Sequence, residues 1–316
     1  MVRSIRDGDF IHDRRGIVKH YPELLLCMLF LGIVLPIFSV VALYAITHDF
    51  PTQYAGILLG FRQGVIPLGG IMAGALFPML IGAGLSDVLG GLGILTFLLT
   101  VLLILALWQL PDHTTDAPQR YPSSTSFLRT IIPISFVVFL MGAGQFSVLI
   151  FSLLYLGVLG IHVAWESGAF LVVFLSGGFV ARIMVGFLAG RYFSLKALFI
   201  FVALIGSISM AIFATLPLHP DLLKVFILAF ILGVGIVGYN ALPFQWASEL
   251  VAREQKGRAM GLLSAVSGLS VALWLPLFGF IVDLWGYSVM WFIVAALYAA
   301  VSMAILLSPN PGPPSN

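Results

Sequence analysis

The chain has 316 residues, of which 60% are hydrophobic and 9% are charged, and its mean hydropathy is +1.10. An ordinary soluble domain carries about 25% charged residues, so this chain has too few charges to cover the surface of a water-soluble globule. The formal net charge of +2 gives no basis for a nucleic-acid partner. The composition therefore predicts an integral membrane protein whose surroundings are the lipid bilayer.

Sequence motifs of metal, redox and hydrolytic chemistry are absent. Cys27 is the single cysteine, so no internal disulfide can form, and no Cys/His group has the spacing of metal ligands. The sequence also contains neither a Gly-x-Ser-x-Gly elbow nor a phosphate-binding loop. We expect no cofactor, no bound metal and no enzymatic activity.

Long apolar runs predict an all-α membrane fold with about nine membrane-spanning helices. About 20 helical residues cross ~30 Å of hydrocarbon, whereas a transmembrane barrel would show alternating strands of about ten residues. The predicted spans are residues 24–47, 55–82, 89–110, 131–157, 167–190, 195–217, 221–244, 257–282 and 288–307.

A polar segment at residues 111–130 separates three predicted spans from six. Its prolines and its Ser/Thr cluster are typical of a linker between two helical bundles. The predicted domains are a basic N-terminal segment at 1–23, an incomplete bundle at 24–110, the linker at 111–130, a six-helix bundle at 131–307 and a tail at 308–316.

An internal repeat supports this division. Gly56 and Gly60 recur as Gly257 and Gly261, each 201 residues later, and this period spans six predicted helices. Because an even number of crossings separates the two copies, both point the same way, as in transporters built from two parallel six-helix halves. The chain is therefore predicted to be such a six-plus-six protein without its first three spans.

The basic residues predict the orientation of most of the chain. If the linker is cytoplasmic, the basic residues of the linker and of the later connections are all cytoplasmic except Lys224, as the positive-inside rule requires. The cytoplasmic residues are Arg120, Arg129, Arg191, Lys196, Arg253, Lys256 and Arg258. Three crossings then place the basic residues 1–20 outside, against the rule. Either this segment follows a deletion or a wrong start site, or it is held inside and the first apolar run does not cross simply.

The segment from Arg182 to Lys196 reads Arg-Ile-Met-Val-Gly-Phe-Leu-Ala-Gly-Arg-Tyr-Phe-Ser-Leu-Lys. It resembles the Gly-x-Leu-Ala-Asp-Arg-x-Gly-x-Lys loop of the major facilitator superfamily, with Gly190 in place of the acidic residue. In that family the loop clamps the cytoplasmic side of one conformational state. An ordinary basic turn is the alternative.

Two further segments carry the same resemblance. Glu249 to Gly261, followed by Pro276 to Gly286, resembles the region between the tenth and eleventh helices of that superfamily, and Arg62 to Gly70 is similar to the fifth helix of its cyanate- and organic-anion-type permeases. The resemblance implies a bundle of three plus six helices and secondary transport of a small solute, an organic or inorganic anion, by alternating access. The gating residues that it implies are Arg182, Gly186, Arg191, Lys196, Gly257 and Arg258.

Polar side chains at membrane depth are candidates for contact with the transported solute. They are Gln145, Tyr239, Asn240, Ser39 and Arg62. Hydrogen bonding between helices is the structural alternative for the uncharged members. For Arg62 and Arg182, the alternative is that the side chain extends to the membrane interface.

Glycines within the predicted helices indicate close helix packing. The glycines expected at such contacts are Gly69, Gly70, Gly74, Gly142, Gly144, Gly177 and Gly178. Gly233-Val-Gly235-Ile-Val-Gly238 fits the Gly-x-Gly-x-x-Gly pattern of dinucleotide sites, but no strand precedes it. We therefore interpret it as a packing face of a membrane helix.

The competing hypothesis is a truncated product that inserts into the membrane but cannot transport. If the protein does transport, we expect it to lie in the inner membrane of a bacterium and to bind a small molecule. The sequence leaves the oligomeric state open, with a monomer expected.

Overall fold

The computed structural model shows a helical membrane protein. It describes residues 46, 52–80, 91, 93–98, 101–102, 105, 125–161, 164–189, 192–252 and 255–307. In these residues the helices are α1 (Thr52–Leu80), α2 (Thr125–Val158), α3 (Ala164–Leu188), α4 (Leu195–Ala214), α5 (Leu222–Val237), α6 (Ala241–Leu250) and α7 (Lys256–Leu307). Six segments are long and apolar enough to cross a membrane, so the predicted all-α membrane fold is confirmed.

Most predicted spans correspond to observed helices. Spans 55–82, 131–157, 167–190 and 195–217 match α1, α2, α3 and α4. The first predicted span lies outside the described residues except for Ile46, and the described part of span 89–110 is helical. The total of nine spans therefore stays a prediction.

Helix α2 begins earlier than expected. It starts at Thr125, inside the segment predicted as a linker, whose residues 111–124 lie outside the described part of the chain.

The chain divides into two compact units. One comprises Met1–Leu35 and Met79–Pro122, and the other comprises Pro36–Pro78 and Ser123–Asn316. All contacts described below lie within the second unit, which contains nearly all of α1 and the whole of α2 to α7.

Helix α7 has 52 residues but is interrupted at Gly286, where φ is 81° and ψ is 172°. A straight helix of that length would measure about 78 Å, far more than the ~30 Å of hydrocarbon. The backbone at Gly286 lies in a region that only glycine adopts readily. The two predicted spans 257–282 and 288–307 are therefore two helical segments joined at one residue.

Side-chain caps define where α4 and α5 begin. Ser194 Oγ accepts the N–H of Ala197 at 3.1 Å, and Asp221 Oδ1 accepts the N–H of Lys224 at 3.1 Å. Each cap satisfies a backbone donor that the first turn of a helix leaves without a partner. The start predicted at residue 221 for one of the spans thus coincides with a capped helix start.

Helix α4 shows how the bundle meets lipid. One of its faces exposes large apolar side chains, and the opposite face is buried. The exposed side chains are Phe201, Leu204, Ile208 and Ile212. In water such a stripe would favour aggregation, whereas hydrocarbon solvates it.

Glycines let α5 pack closely on both of its neighbours. A Cβ atom at Gly233 would overlap the carbonyl of Phe174 in α3, and one at Gly235 would overlap the backbone of Gly206 in α4. The interpretation of this Gly-x-Gly segment as a packing face is confirmed.

The other glycines predicted at helix contacts are confirmed with one exception. At six of them a Cβ atom would lie within 3.0 Å of a neighbouring atom, namely Gly70, Gly74, Gly142, Gly144, Gly177 and Gly178. At Gly69 no atom of the described residues lies within 4 Å of a Cβ atom, so a helix contact there stays a prediction.

The substitution Gly235→Ala is expected to destabilise the bundle, because its methyl group would overlap the Gly206 backbone. Overpacking of this kind costs about 1–3 kcal/mol. Thermal unfolding in detergent, followed by tryptophan fluorescence, measures the loss.

The matched control is Gly69→Ala, which adds the same methyl group in open space. It should leave the unfolding temperature unchanged or raise it slightly, since alanine is the better helix former by about 1 kcal/mol. Equal unfolding temperatures for the two variants would contradict the packing argument.

Candidate functional site

A break in the helical backbone organises the candidate site. A 3-10 turn at Gly238–Asn240 separates α5 from α6, so the regular α-helix is interrupted within the span predicted at 221–244, and the apolar span itself continues to Leu250. Pro243 accounts for the break, because it offers no N–H to the carbonyl of Tyr239 four residues earlier. That carbonyl accepts the N–H of Ala241 instead. Pro243 was the sequence signal that could have located the break.

Two residues predicted to contact the solute are hydrogen-bonded to each other at this break. Asn240 Nδ2 donates to Gln145 Oε1 at 2.5 Å and to the carbonyl of Val237 at 3.1 Å. The Gln145 side chain is 8% exposed. The pair joins α2 to the break, which is the interhelical hydrogen bond considered as the structural alternative. Contact with a solute stays a prediction for both residues.

Tyr239 lies in the packed interior next to this pair. Its side chain is 2% exposed, and its ring meets that of Tyr298 edge-on with the ring centres 6.4 Å apart. The Tyr298 hydroxyl donates to the carbonyl of Met141 at 2.6 Å. These contacts connect α2 and α7 to the same break.

Arg182 lies deep in the bundle. Its side chain is 1% exposed, so the expectation that it extends to the membrane interface is wrong. Its Nε donates to the carbonyl of Val237 at 2.9 Å, and its Nη1 donates to the carbonyl of Gln63. The guanidinium therefore connects α3 to α1 and to the break after α5. The Val237 carbonyl accepts from both Arg182 and Asn240, which places the cation beside the Gln145–Asn240 pair.

Arg62 lies on α1 next to this contact. It is partly buried, and its Nη1 is 3.4 Å from Oε1 of Gln63. Gln63 is buried and was not among the predicted site residues, although its position beside Arg62 within an apolar helix was a signal. The structure thus brings two arginines of neighbouring helices to the same residue of α1.

The described gating residues lie in three places in the structure. Arg182 and Gly186 lie where α3 meets α1, since a Cβ atom at Gly60 would be 2.5 Å from the Arg182 carbonyl oxygen and 3.2 Å from the Gly186 Cα atom. Arg258 lies in the first turn of α7, with its Cζ atom 4.7 Å from the ring centre of Phe127 in α2. Gly257 precedes it in that turn, and Lys196 lies in the first turn of α4.

Two predicted residues, Ser39 and Arg191, lie outside the described part of the chain. Within the described part, no group of three or more His, Cys, Asp or Glu side chains is placed to hold a metal ion.

Comparison with known proteins agrees with this architecture. Residues 202–316, which include the broken helix, match the family model of the Major Facilitator Superfamily. The chain is also similar in structure to a variant of the E. coli fucose:proton symporter FucP, with a TM-score of 0.63 and 18% identity over 86% of this chain and 73% of that one. FucP in its outward conformation gives a TM-score of 0.62 and 17% identity over 86% of this chain and 72% of that one. No curated protein sequence matches the chain.

Residues 202–316 thus resemble the major facilitator superfamily in sequence, and the fold of most of the chain is similar to that of the two FucP structures. The resemblance to the superfamily is confirmed by this match, which covers the segment from Glu249 to Gly286 but not the segments at 62–70 and 182–196. The fold neighbours are membrane transporters, and six of the described segments are apolar enough to cross a membrane.

The hydrogen bond between Gln145 and Asn240 predicts coupled effects on stability. Gln145→Ala and Asn240→Ala each remove the same hydrogen bond. The free energy of unfolding should therefore fall less in the double variant than the sum of its decreases in the two single variants. We expect a coupling of about 0.5–1.5 kcal/mol. Unfolding of the purified protein by denaturant measures it.

The control cycle combines Gln145→Ala with Ser209→Ala. The Ser209 hydroxyl donates to the carbonyl of Gly206 in its own helix, so these two losses should add. If the decreases in unfolding free energy were also additive for Gln145→Ala and Asn240→Ala, the hydrogen bond between these residues would contribute nothing to stability.

Proposed function

We propose that this protein moves a small anion across the membrane by alternating access. The observation that supports this proposal is Arg182, a cation buried in the bundle whose described hydrogen bonds go to two backbone carbonyls. Backbone carbonyls are dipoles and carry no net charge. Among the described residues, no carboxylate is bonded to the guanidinium.

A buried charge without a countercharge is costly, and in membrane proteins such a group marks a pathway for a substrate or an ion. An anionic solute would supply the missing negative charge only while it is bound. The planar guanidinium favours a carboxylate or a similar planar anion, because it can donate two parallel hydrogen bonds to it.

The neighbours of Arg182 suit the recognition of a small polar solute. Asn240 shares the Val237 carbonyl with Arg182, and Gln145 is bonded to Asn240. Amide side chains can donate to an anion and accept from a hydroxyl group. We therefore assign Gln145, Tyr239 and Asn240 to the solute site together with Arg182, and place Arg62 and Ser39 among its further candidates.

Alternating access requires one part of the bundle to move against another. Helix α1 meets α3 through Gly60 and Gly64, whose missing side chains leave a smooth contact. In the proposed mechanism, the bundles at 24–110 and 131–307 rock about the linker. The residues at the α1–α3 contact and at the start of α7 form the cytoplasmic gate, and the protein lies in the inner membrane of a bacterium.

A neutral sugar is the competing solute class, since the similar structures are those of a fucose:proton symporter. Gln145 and Asn240 would serve a sugar as well, but a sugar would leave the charge of Arg182 uncompensated.

Transport assays in proteoliposomes test the proposal. Uptake of radiolabelled acetate, nitrate and cyanate is compared with uptake of L-fucose. We expect saturable uptake of at least one anion, and a loss of at least tenfold in Arg182→Gln, because one charged hydrogen-bonding partner contributes about 1.5–3 kcal/mol.

Arg129→Gln is the matched control, because Arg129 is an exposed arginine in the first turns of α2. It should transport like the unmodified protein. Uptake of fucose alone, or anion uptake that Arg182→Gln leaves unchanged, would contradict anion recognition by Arg182.

A further inference from the structure

Each of the two carbonyls bound by Arg182 lacks the N–H partner that a regular α-helix would give it. In a regular α-helix, the carbonyl of Gln63 would accept the N–H of residue 67. Residue 67 is Pro67, which has no N–H, so this carbonyl is left available within α1. It accepts Nη1 of Arg182 instead.

The second carbonyl lies at the helix break. In a continuous helix, the carbonyl of Val237 would accept the N–H of Ala241, but that N–H donates to Tyr239. Nε of Arg182 donates to the Val237 carbonyl at 2.9 Å. Arg182 therefore spans two positions at which α1 and the α5–α6 pair lose regular helical hydrogen bonding.

This arrangement adds a polar contact between α1 and α3 at a point where the two backbones approach closely. Gly60 and Gly64 face α3 without side chains that interlock with it. Leu59, which is 0% exposed, packs in one cluster with Phe127, Phe244 and Met260. The start of α1 therefore covers the end of the bundle formed by α2, α6 and α7.

We infer that Arg182 exchanges these two backbone carbonyls for the transported anion, so that anion binding releases α1 from α3. The inference rests on the proposed function, because it takes the solute to be an anion. An anion adds the attraction of opposite charges to its hydrogen bonds with the guanidinium, which an uncharged carbonyl does not supply, and this favours the exchange. The same N–H groups cannot serve both partners fully, so the empty protein holds α1 and the loaded protein frees it.

Pro67→Ala tests this exchange without altering Arg182. The alanine N–H can bond to the Gln63 carbonyl within α1 and compete with the guanidinium for it. Pro133→Ala is the matched control, because Pro133 is an exposed proline inside α2 and its replacement leaves α1 unchanged. Arg182→Gln removes the cation itself.

The measurement is the distance between spin labels at positions 61 and 201, made by Phe61→Cys and Phe201→Cys in a Cys27→Ser background. Both side chains are exposed, one on α1 and one on α4. Distance distributions are recorded by pulsed EPR in lipid nanodiscs. Sodium acetate, nitrate and cyanate are added in turn, with ionic strength held constant by sodium HEPES.

The labelled background protein, which carries only Cys27→Ser and the two labelled cysteines, should give one narrow distance distribution without anion. Pro67→Ala and Arg182→Gln should each add a second, longer population, and Pro133→Ala should not. Any anion that the flux assay shows to be transported should add the same longer population in the background protein and have no effect in Arg182→Gln.

Two outcomes overturn the inference and separate it from the proposed function. If an anion is taken up in an Arg182-dependent way but leaves the distance distribution unchanged, the exchange is wrong and anion transport stands. If no anion is taken up and none changes the distribution, the proposed function fails and the exchange fails with it. A distribution that Pro67→Ala leaves unchanged also overturns the exchange.

Discussion

The position of Arg182 constrains the rest of this bundle. A guanidinium inside a membrane protein must keep its hydrogen bonds satisfied, because hydrocarbon offers no water to replace them. Here the acceptors are carbonyls at two irregular places in neighbouring helices. The irregularities at Pro67 and after α5 are therefore parts of one arrangement, in which lost helical hydrogen bonds become the partners of a buried cation.

The close glycine contacts make this arrangement possible. Gly60 brings the backbones of α1 and α3 together at the level of Arg182, and Gly233 and Gly235 bring α5 against α3 and α4. Since lipid does not drive helices together as water does, close approach and polar contacts provide much of the association. The same features leave a smooth boundary along which α1 can be displaced.

Part of the fold and part of the candidate site were predictable from the sequence. Composition and the length of the apolar runs predicted the membrane helices, because a run of about 20 apolar residues is stable in the lipid bilayer and not in water. The glycines of α5 were predicted as a packing face from their context, and Gln145 and Asn240 were singled out as polar groups at membrane depth. Their mutual hydrogen bond was not predictable, because it depends on how two helices distant in sequence meet.

The points that the sequence missed have physical causes as well. Extension to the membrane interface was the alternative for Arg182, but its burial depends on contacts with α1 and with the break after α5, which no local pattern records. Gly69 was expected at a contact as well, but among the described residues its neighbour Gly70 is the one that faces α3. The break after α5 was missed because the run of apolar residues continues through it, and Pro243 was the only local indication.

Gly286 sets the depth of the last two helices in the bilayer. The joint there is a single residue, with the exposed side chains of Asp283 and Trp285 just before it, and such a pair of polar and aromatic groups is suited to the headgroup layer. The segment from Lys256 to that joint measures about 45 Å at 1.5 Å per residue, about 15 Å more than the hydrocarbon thickness of ~30 Å. With the joint anchored at one surface, the opposite end of this segment extends beyond the other surface, so the exposed guanidinium of Arg258 lies outside the hydrocarbon while the Phe127 ring beneath it stays buried in protein.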